Sequence, residues 1–213
     1  MDALLEGEQY ETCLALCHLC EAEAPIAAKA DGVRRSYALA LFAQHHFDRA
    51  LALLAQSPSL DPRDTLALFP DLADPGHTPG PHVPQPPPEL KGHKLLRAQV
   101  ALIKYLRAVR RRLAEGVVAD AGGVAAVVDS ALLKALARAE PENVLAFLQQ
   151  ANCCDVEAGA RLLDDYGMHH EMVELFRSHG EHRRAGGVHG LGTRRQRVRQ
   201  RARRLANHRF CVQ

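Results

Sequence analysis

Tyr10-Glu11-Thr12-Cys13-Leu14-Ala15-Leu16-Cys17 places its apolar side chains at offsets 0, +3, +4, +6 and +7. The same register holds at Phe47-Asp48-Arg49-Ala50-Leu51-Ala52-Leu53-Leu54 and returns at His169-His170-Glu171-Met172-Val173-Glu174-Leu175-Phe176. A fainter copy is Pro141-Glu142-Asn143-Val144-Leu145-Ala146-Phe147-Leu148, with proline in the first helical turn, where its missing N–H costs nothing. These offsets draw one apolar stripe along each helix, too wide to leave in water. A single such helix cannot bury its own stripe, so neighbouring copies must stack, which is the logic of a helical solenoid. The register therefore predicts an all-α chain, an α-solenoid of antiparallel helical hairpins over residues 8–182. Leu14, Leu51, Leu102, Leu132 and Leu145 are expected in its core.

Composition agrees. Apolar residues make up 47% of the 213, enough for a sizeable core, while aromatics are only 5% and Trp is absent. Ala and Leu dominate, which favours helix over sheet. The net charge of +2 hides an asymmetry: ten of the 27 basic residues, all Arg, lie from Arg183 onward, where there is no Lys and no acid. That leaves 17 basic against 25 acidic residues in the first 182, a formal −8. Asp2, Glu6, Glu8 and Glu11 give the amino terminus the wrong charge for a secretory leader. The most apolar run, Val117 to Leu133, is broken by Asp120 and Asp129 and falls short of a roughly 20-residue span. Six cysteines without a disulfide framework point to a reducing cytosol.

Along the chain, residues 8–24 and about 29–44 read as a helical pair, with Asp31-Gly32 blurring the start of the second. A helix over 46–56 stops at Ser57-Pro58, and Asp61 caps a short helix that runs from Pro62 through Leu68. Seven of the twelve prolines fall between Pro75 and Pro88, so about 73–90 reads as an exposed, disordered loop. Pro84-Gln85-Pro86-Pro87-Pro88 contains a PxxP, but connection is the better account of such a loop. The clearest helix is 93–115, with Leu95, Leu102, Leu106, Val109 and Leu113 on one side and Lys94, Arg97, Lys104, Arg107 and Arg111 on another. Helices at about 124–138, 141–151, 155–166 and 168–178 follow, joined by tight turns that favour hairpins. The Trp, Leu-Gly and Tyr signature of the tetratricopeptide repeat is missing.

Chemistry-bearing motifs are few. Cys17-His18-Leu19-Cys20, preceded by Cys13, is the nearest to a metal motif, yet zinc needs a second pair, and only the distant, adjacent Cys153-Cys154 is available. Cys13, Cys17 and Cys20 share the apolar face of one helix, so core packing explains them better. His169-His170-Glu171 lacks the second histidine of a zinc-protease helix and reads as a helix start. Gly186-Gly187 and Gly190-x-Gly192 lack the Lys-Ser or Lys-Thr of a phosphate loop, and no GxSxG elbow occurs. The chain is expected to be no enzyme, with no catalytic, cofactor-binding or metal-binding residues. The cations of helix 93–115 read first as a solvated face, and otherwise as a site for an acidic partner or an anionic membrane surface.

The tail from Arg183 has three readings. It changes character abruptly: acids vanish, the helical register stops and Arg replaces Lys, as in a translated intron or a shifted reading frame. It can also be a disordered or loosely helical basic tail. As a nucleic-acid arm it lacks a stacking platform, since no aromatic interleaves before Phe210.

Read in order, several blocks resemble the family of vacuolar sorting protein 39 and the transforming growth factor-beta receptor-associated protein. They are Tyr37-Ala38-Leu39-Ala40-Leu41-Phe42 with Phe47-Asp48, then Leu68-Phe69-Pro70-Asp71-Leu72, and beyond the proline-rich loop Ala101-Leu102-Ile103-Lys104-Tyr105-Leu106 and Asp129-Ser130-Ala131-Leu132-Leu133-Lys134. Phe69-Pro70-Asp71-Leu72 leans towards the sorting-protein branch, and the likeness runs from about residue 8 to 184.

The resemblance implies a piece of the central helical region of a tethering subunit of the HOPS or CORVET complexes, which act before fusion of late endosomes, lysosomes or vacuoles. The family's propeller-like citron homology domain and its long carboxy-terminal solenoid have no counterpart in these residues. Binding of Rab-type GTPases and contacts with other subunits therefore transfer to no particular position. The function expected is a non-enzymatic scaffold in vesicle-mediated intracellular protein transport, cytoplasmic and peripheral on endolysosomal or vacuolar membranes. The alternative is nucleic-acid binding through the Arg-rich tail.

Overall fold

The computed structural model describes residues 9–19, 24–57, 59–69, 71–73, 76–84, 89–117, 120 and 122–185, and for 16–19 and 24–28 the backbone alone. Among the described residues every regular element is helical, so the chain is all-α. The helices are α1 (Tyr10–Leu19), α2 (Ala24–Ala43), α3 (Phe47–Gln56), α4 (Pro62–Leu66), α5 (Gly92–Ala114) and α6 (Val124–Ala139). A 3-10 turn (Pro141–Asn143) then leads into α7 (Val144–Leu148), followed by α8 (Val156–Tyr166) and α9 (His169–Ser178). Two compact units divide the chain, residues 1–135 and 136–213.

In the first unit α1 packs on α2, α2 on α3, and α3 on α5. α2 begins at Ala24 and passes straight through Asp31-Gly32, where the sequence suggests a later start at about 29. The reason lies in burial and in a partner distant in sequence. The Asp31 carboxylate, only 4% exposed, is held by the Arg34 guanidinium and the Ser59 hydroxyl. Ala30, Val33, Ala38, Leu41 and Phe42 are buried along the same helix. That burial outweighs the roughly 1 kcal/mol a mid-helix glycine costs.

The core gathers around Phe42, which meets Phe47 and Phe69 edge-on with ring centroids 5.1 and 5.7 Å apart. Leu51, Leu66, Leu68, Leu102, Ile103 and Leu106 complete it. Asp61 caps α4 by accepting the Arg63 N–H at 2.9 Å, and Pro62 sits at the first turn, as expected. α4 ends at Leu66 rather than Leu68. Leu68 and Phe69 continue in tighter turns, donating to the carbonyls of Thr65 and Leu66, and both side chains are buried.

In the second unit α8 packs on α9 and α9 on α7. Asp155 caps α8 through the Ala158 N–H at 2.9 Å. Gly167, at φ +72°, closes α8 in the left-handed conformation that an L side chain resists, and α9 starts two residues later. The helix expected over 141–151 is instead the 3-10 turn plus the five residues of α7. Arg184 reaches Glu157 at 2.6 Å and Glu181 at 2.8 Å and lies 4.5 Å over the Phe176 ring, while Ala185 is buried. Residues 183–185, read from sequence as the start of the tail, thus join this unit. The rest of the tail, 186–213, lies outside the described residues, and with it the choice between disordered, loosely helical and non-native sequence.

Leu51, Leu102 and Leu132 are buried as expected, but Leu14 and Leu145 are only half-buried. Both occupy offset +4. α3 lies against both α2 and α5 and buries offsets 0, +3, +4 and +7, namely Phe47, Ala50, Leu51 and Leu54. α1 and α7 each have one principal helical neighbour; α7 buries Val144, Phe147 and Leu148, and in α1, whose side chains are described only through Ala15, Cys13 is buried.

Candidate functional site

A buried polar cluster is built on α4 and the proline-rich segment. Asp64 is 8% exposed, because α4 lies with Leu66 and Thr65 against the core. A buried carboxylate needs donors, and the chain beyond α4 turns back to supply them. His77 Nε2 lies 2.7 Å from Oδ1, the Gly80 N–H donates to the same oxygen at 3.0 Å, and His82 Nε2 is 3.2 Å from Oδ2. A side chain at Gly80 would crowd the cluster. A Cβ there would stand 2.7 Å from His82 Cε1 and 3.2 Å from Asp64 Oδ2. Val83 follows into the core, 5% exposed.

Of the exposed, disordered loop expected across 73–90, residues 73, 76–84 and 89–90 are described: the backbone is irregular and most residues are exposed or half-buried, as expected, but Val83 is buried and His77 and Gly80 hydrogen-bond to Asp64. The proline count concealed it. Proline forbids helix, yet says nothing against a segment that packs through two histidines, a glycine N–H and a valine. A readable signal was Asp64 in the short capped helix, followed by His77 and His82 on either side of a glycine.

Neighbouring groups are tuned by the same burial. Burial pushes the Asp61 carboxyl up, but the Arg63 side chain and backbone N–H outweigh it and hold the group below its ordinary value. Burial drives the Tyr105 phenol of α5 well above its ordinary range, against a smaller opposing effect from Thr65. Chemically the cluster is a latch. It clasps a segment by hydrogen bonds to one carboxylate, and among the described residues no group of three or more His, Cys, Asp or Glu has the geometry to hold a metal ion.

The residues singled out from sequence are scattered. Cys13 is buried in α1, Cys17 has only its backbone described, and Cys20 lies outside the described residues. Cys154 is buried and Cys153 exposed in the second unit. His169 and His170 open α9, the former 4.0 Å from Asp164. The cations of α5 do share an outer face: Arg97, Lys104, Arg107 and Arg111 are exposed, with Lys104 on Asp48 at 2.8 Å and Arg111 4.0 Å from Glu115. Lys94 approaches His45 at 2.9 Å instead. No helix among the described residues is long and apolar enough to cross a membrane.

The blocks that carry the sequence resemblance prove to be core. Ala38, Leu41 and Phe42, then Phe69 and Leu72, then Leu102, Ile103, Tyr105 and Leu106, and finally Ala131, Leu132 and Leu133 are all buried. The Asp71 carbonyl accepts from Lys134, joining two of the blocks. Residues 128–188 match the family model described as vacuolar sorting protein 39 domain 1. The Vam6/Vps39-like proteins of mouse and human are each 25% identical over 202 residues, covering 85% of this chain. Both comparisons converge on the vacuolar sorting protein 39 family. This is the sorting-protein branch that Phe69-Pro70-Asp71-Leu72 favours. The chain spans 23% of the length of those two relatives. No solved structure matches it.

Proposed function

We propose that the chain serves as a non-enzymatic scaffold in vesicle-mediated protein transport, as part of the helical region of a HOPS- or CORVET-type tethering subunit. Its helices form a solenoid of antiparallel hairpins whose outer faces meet other subunits, and it works peripherally at vacuolar or endolysosomal membranes. The observation that carries this reading is the 25% identity to the Vam6/Vps39-like proteins over 85% of the chain, beside the burial of the apolar residues in the blocks that resemble the family. Side chains that fix how helices stack are what a common scaffold must keep. The Asp64 cluster is in keeping with it, since Asp64 with His77 and Gly80 ties down a segment of the chain.

A chimera tests the proposal. The matching segment of the mouse Vam6/Vps39-like protein is replaced by residues 9–185 and expressed in cells lacking that relative, and delivery of endocytosed cargo to degradative compartments is measured. Restored delivery is expected. A chimera that accumulates to the normal level yet restores nothing refutes the reading.

A further inference from the structure

The outer face of α5 has no role in the core and carries an ordered pattern. Arg97, Lys104 and Arg111 are spaced seven residues apart, so they stand nearly in line along the helix, drifting by only about 20° per step. Arg107 falls between the last two on the same face, one turn from each. At 1.5 Å per residue the line is about 21 Å long, with a positive charge about every 10.5 Å. Leu96, half exposed, and Val100 lie along one flank of it.

The opposite face of the helix is committed inward: Ala98, Leu102, Ile103, Leu106 and Val109 are buried. An interfacial membrane helix needs that apolar face free to enter lipid, and here it is not. Carboxylates already sit on the stripe at two points. Asp48 is on Lys104, and Glu115 lies near Arg111. The stripe also lacks any aromatic on which a base could stack.

We propose that this face is a docking surface for an acidic helix of a partner protein, one with carboxylates at heptad spacing and an aliphatic residue for Leu96. Two helices lying side by side repeat their facing positions every seven residues, as the three cations do. The heads are exposed, so charge sets partner choice and encounter rate more than raw affinity. The inference deepens the scaffold reading by naming one outer face and the chemistry that fits it.

The probe is a labelled 21-residue helical peptide with Glu at three successive heptad positions and one Leu. Its control has the same composition with the Glu residues distributed around the helix. Binding to the full chain is followed by anisotropy at 50 and 200 mM salt, beside phosphatidylserine vesicles and duplex RNA. The in-register peptide should bind at least about ten-fold tighter than the control and weaken with salt. The R97E/K104E/R111E chain should lose at least about ten-fold in affinity at an unchanged melting temperature, and Leu96→Ser should weaken binding without altering the salt response. Equal affinity for the two peptides, full binding by the reversed chain, or charge-dependent binding of vesicles or RNA alone would overturn the inference. A chimera that restores delivery equally with the reversed face removes this surface while leaving the scaffold reading standing. A failed chimera beside register-specific peptide binding removes the scaffold reading alone.

Discussion

Replacing Asp64 by Ala removes the acceptor for two donors at once, His77 Nε2 at 2.7 Å and the Gly80 N–H at 3.0 Å, and the carboxylate that His82 Nε2 faces at 3.2 Å. The His77 imidazole is partly accessible, 18% exposed, and recovers water as partner, so it loses only about 1 kcal/mol. The Gly80 N–H is pinned by backbone and loses about 1–3 kcal/mol if left without a partner. Against this stands the relief of burying a carboxylate, which is several kcal/mol in the absence of partners and small when donors already satisfy it. The net expectation is a loss of about 2–4 kcal/mol. Asp64→Asn keeps an oxygen for Gly80 and His77 and presents an amide to the other imidazole, so it should lose about 1 kcal/mol. Native-state hydrogen exchange at Gly80 and Val83 reads the segment itself, and Asp64→Ala should cut protection there by at least about ten-fold. If the exchange of these amides and the urea midpoint are the same in Asp64→Ala as in the parent, the carboxylate does not hold the segment and the latch is refuted.

Leu102→Ala, at a fully buried position of α5, should destabilise the first unit by about 2–5 kcal/mol in urea unfolding, whereas the half-buried Leu14→Ala should lose well under half as much. The Tyr105 phenol is held neutral above its ordinary value of 10.0, so the unfolded chain ionises first as pH rises past 10. Its contribution to stability is whole below pH 10. Above that it falls by up to about 1.4 kcal/mol per pH unit, a slope that Tyr105→Phe should reduce in denaturation series taken from pH 9 to 11. Asp61 behaves in the opposite sense. Its lowered value makes its contribution full above about pH 4 and lost as pH falls below the ordinary 3.8, so Asp61→Asn should flatten the acid limb of the melting curve. A chain ending at Ala185 should melt above one ending at Gly180, because the shorter one lacks the buried Ala185 and the Arg184 contacts to Glu157 and Phe176.

How far the sequence could be read depended on the range of the cause. α3 and α9 follow from local spacing, and so does the Asp61-Pro62 start of α4, since a cap and a proline act within one turn. The path of α2 across Asp31-Gly32 did not, because what overrides the glycine is Ser59, 28 residues away, holding the Asp31 carboxylate. Leu14 and Leu145 show the same limit from another side. The register states which face is apolar, but the number of helices lying against that face sets how wide a stripe goes under, and this is a fact of assembly. The latch was least legible: His77 and His82 stand among prolines, where composition argues for solvent, and their partner sits in the middle of a five-residue helix.

α5 brings the two kinds of information onto one element and makes them separable. Its buried residues answer to packing, so Leu102 and Ile103 are constrained in volume and any exchange there is read in stability. Its outer cations answer to nothing in the core, and Lys104 with Asp48, at 67% and 62% exposure, contributes little to folding. A regular seven-residue spacing of charge on that outer face is not needed to keep the helix soluble, for which any scatter of Lys, Arg and Glu suffices. Residues that stabilise the fold and residues that choose a partner therefore lie on opposite sides of the same helix. Reversing the outer charges should change binding at constant melting temperature, and truncating Leu102 should lower the melting temperature before it changes the salt dependence of binding.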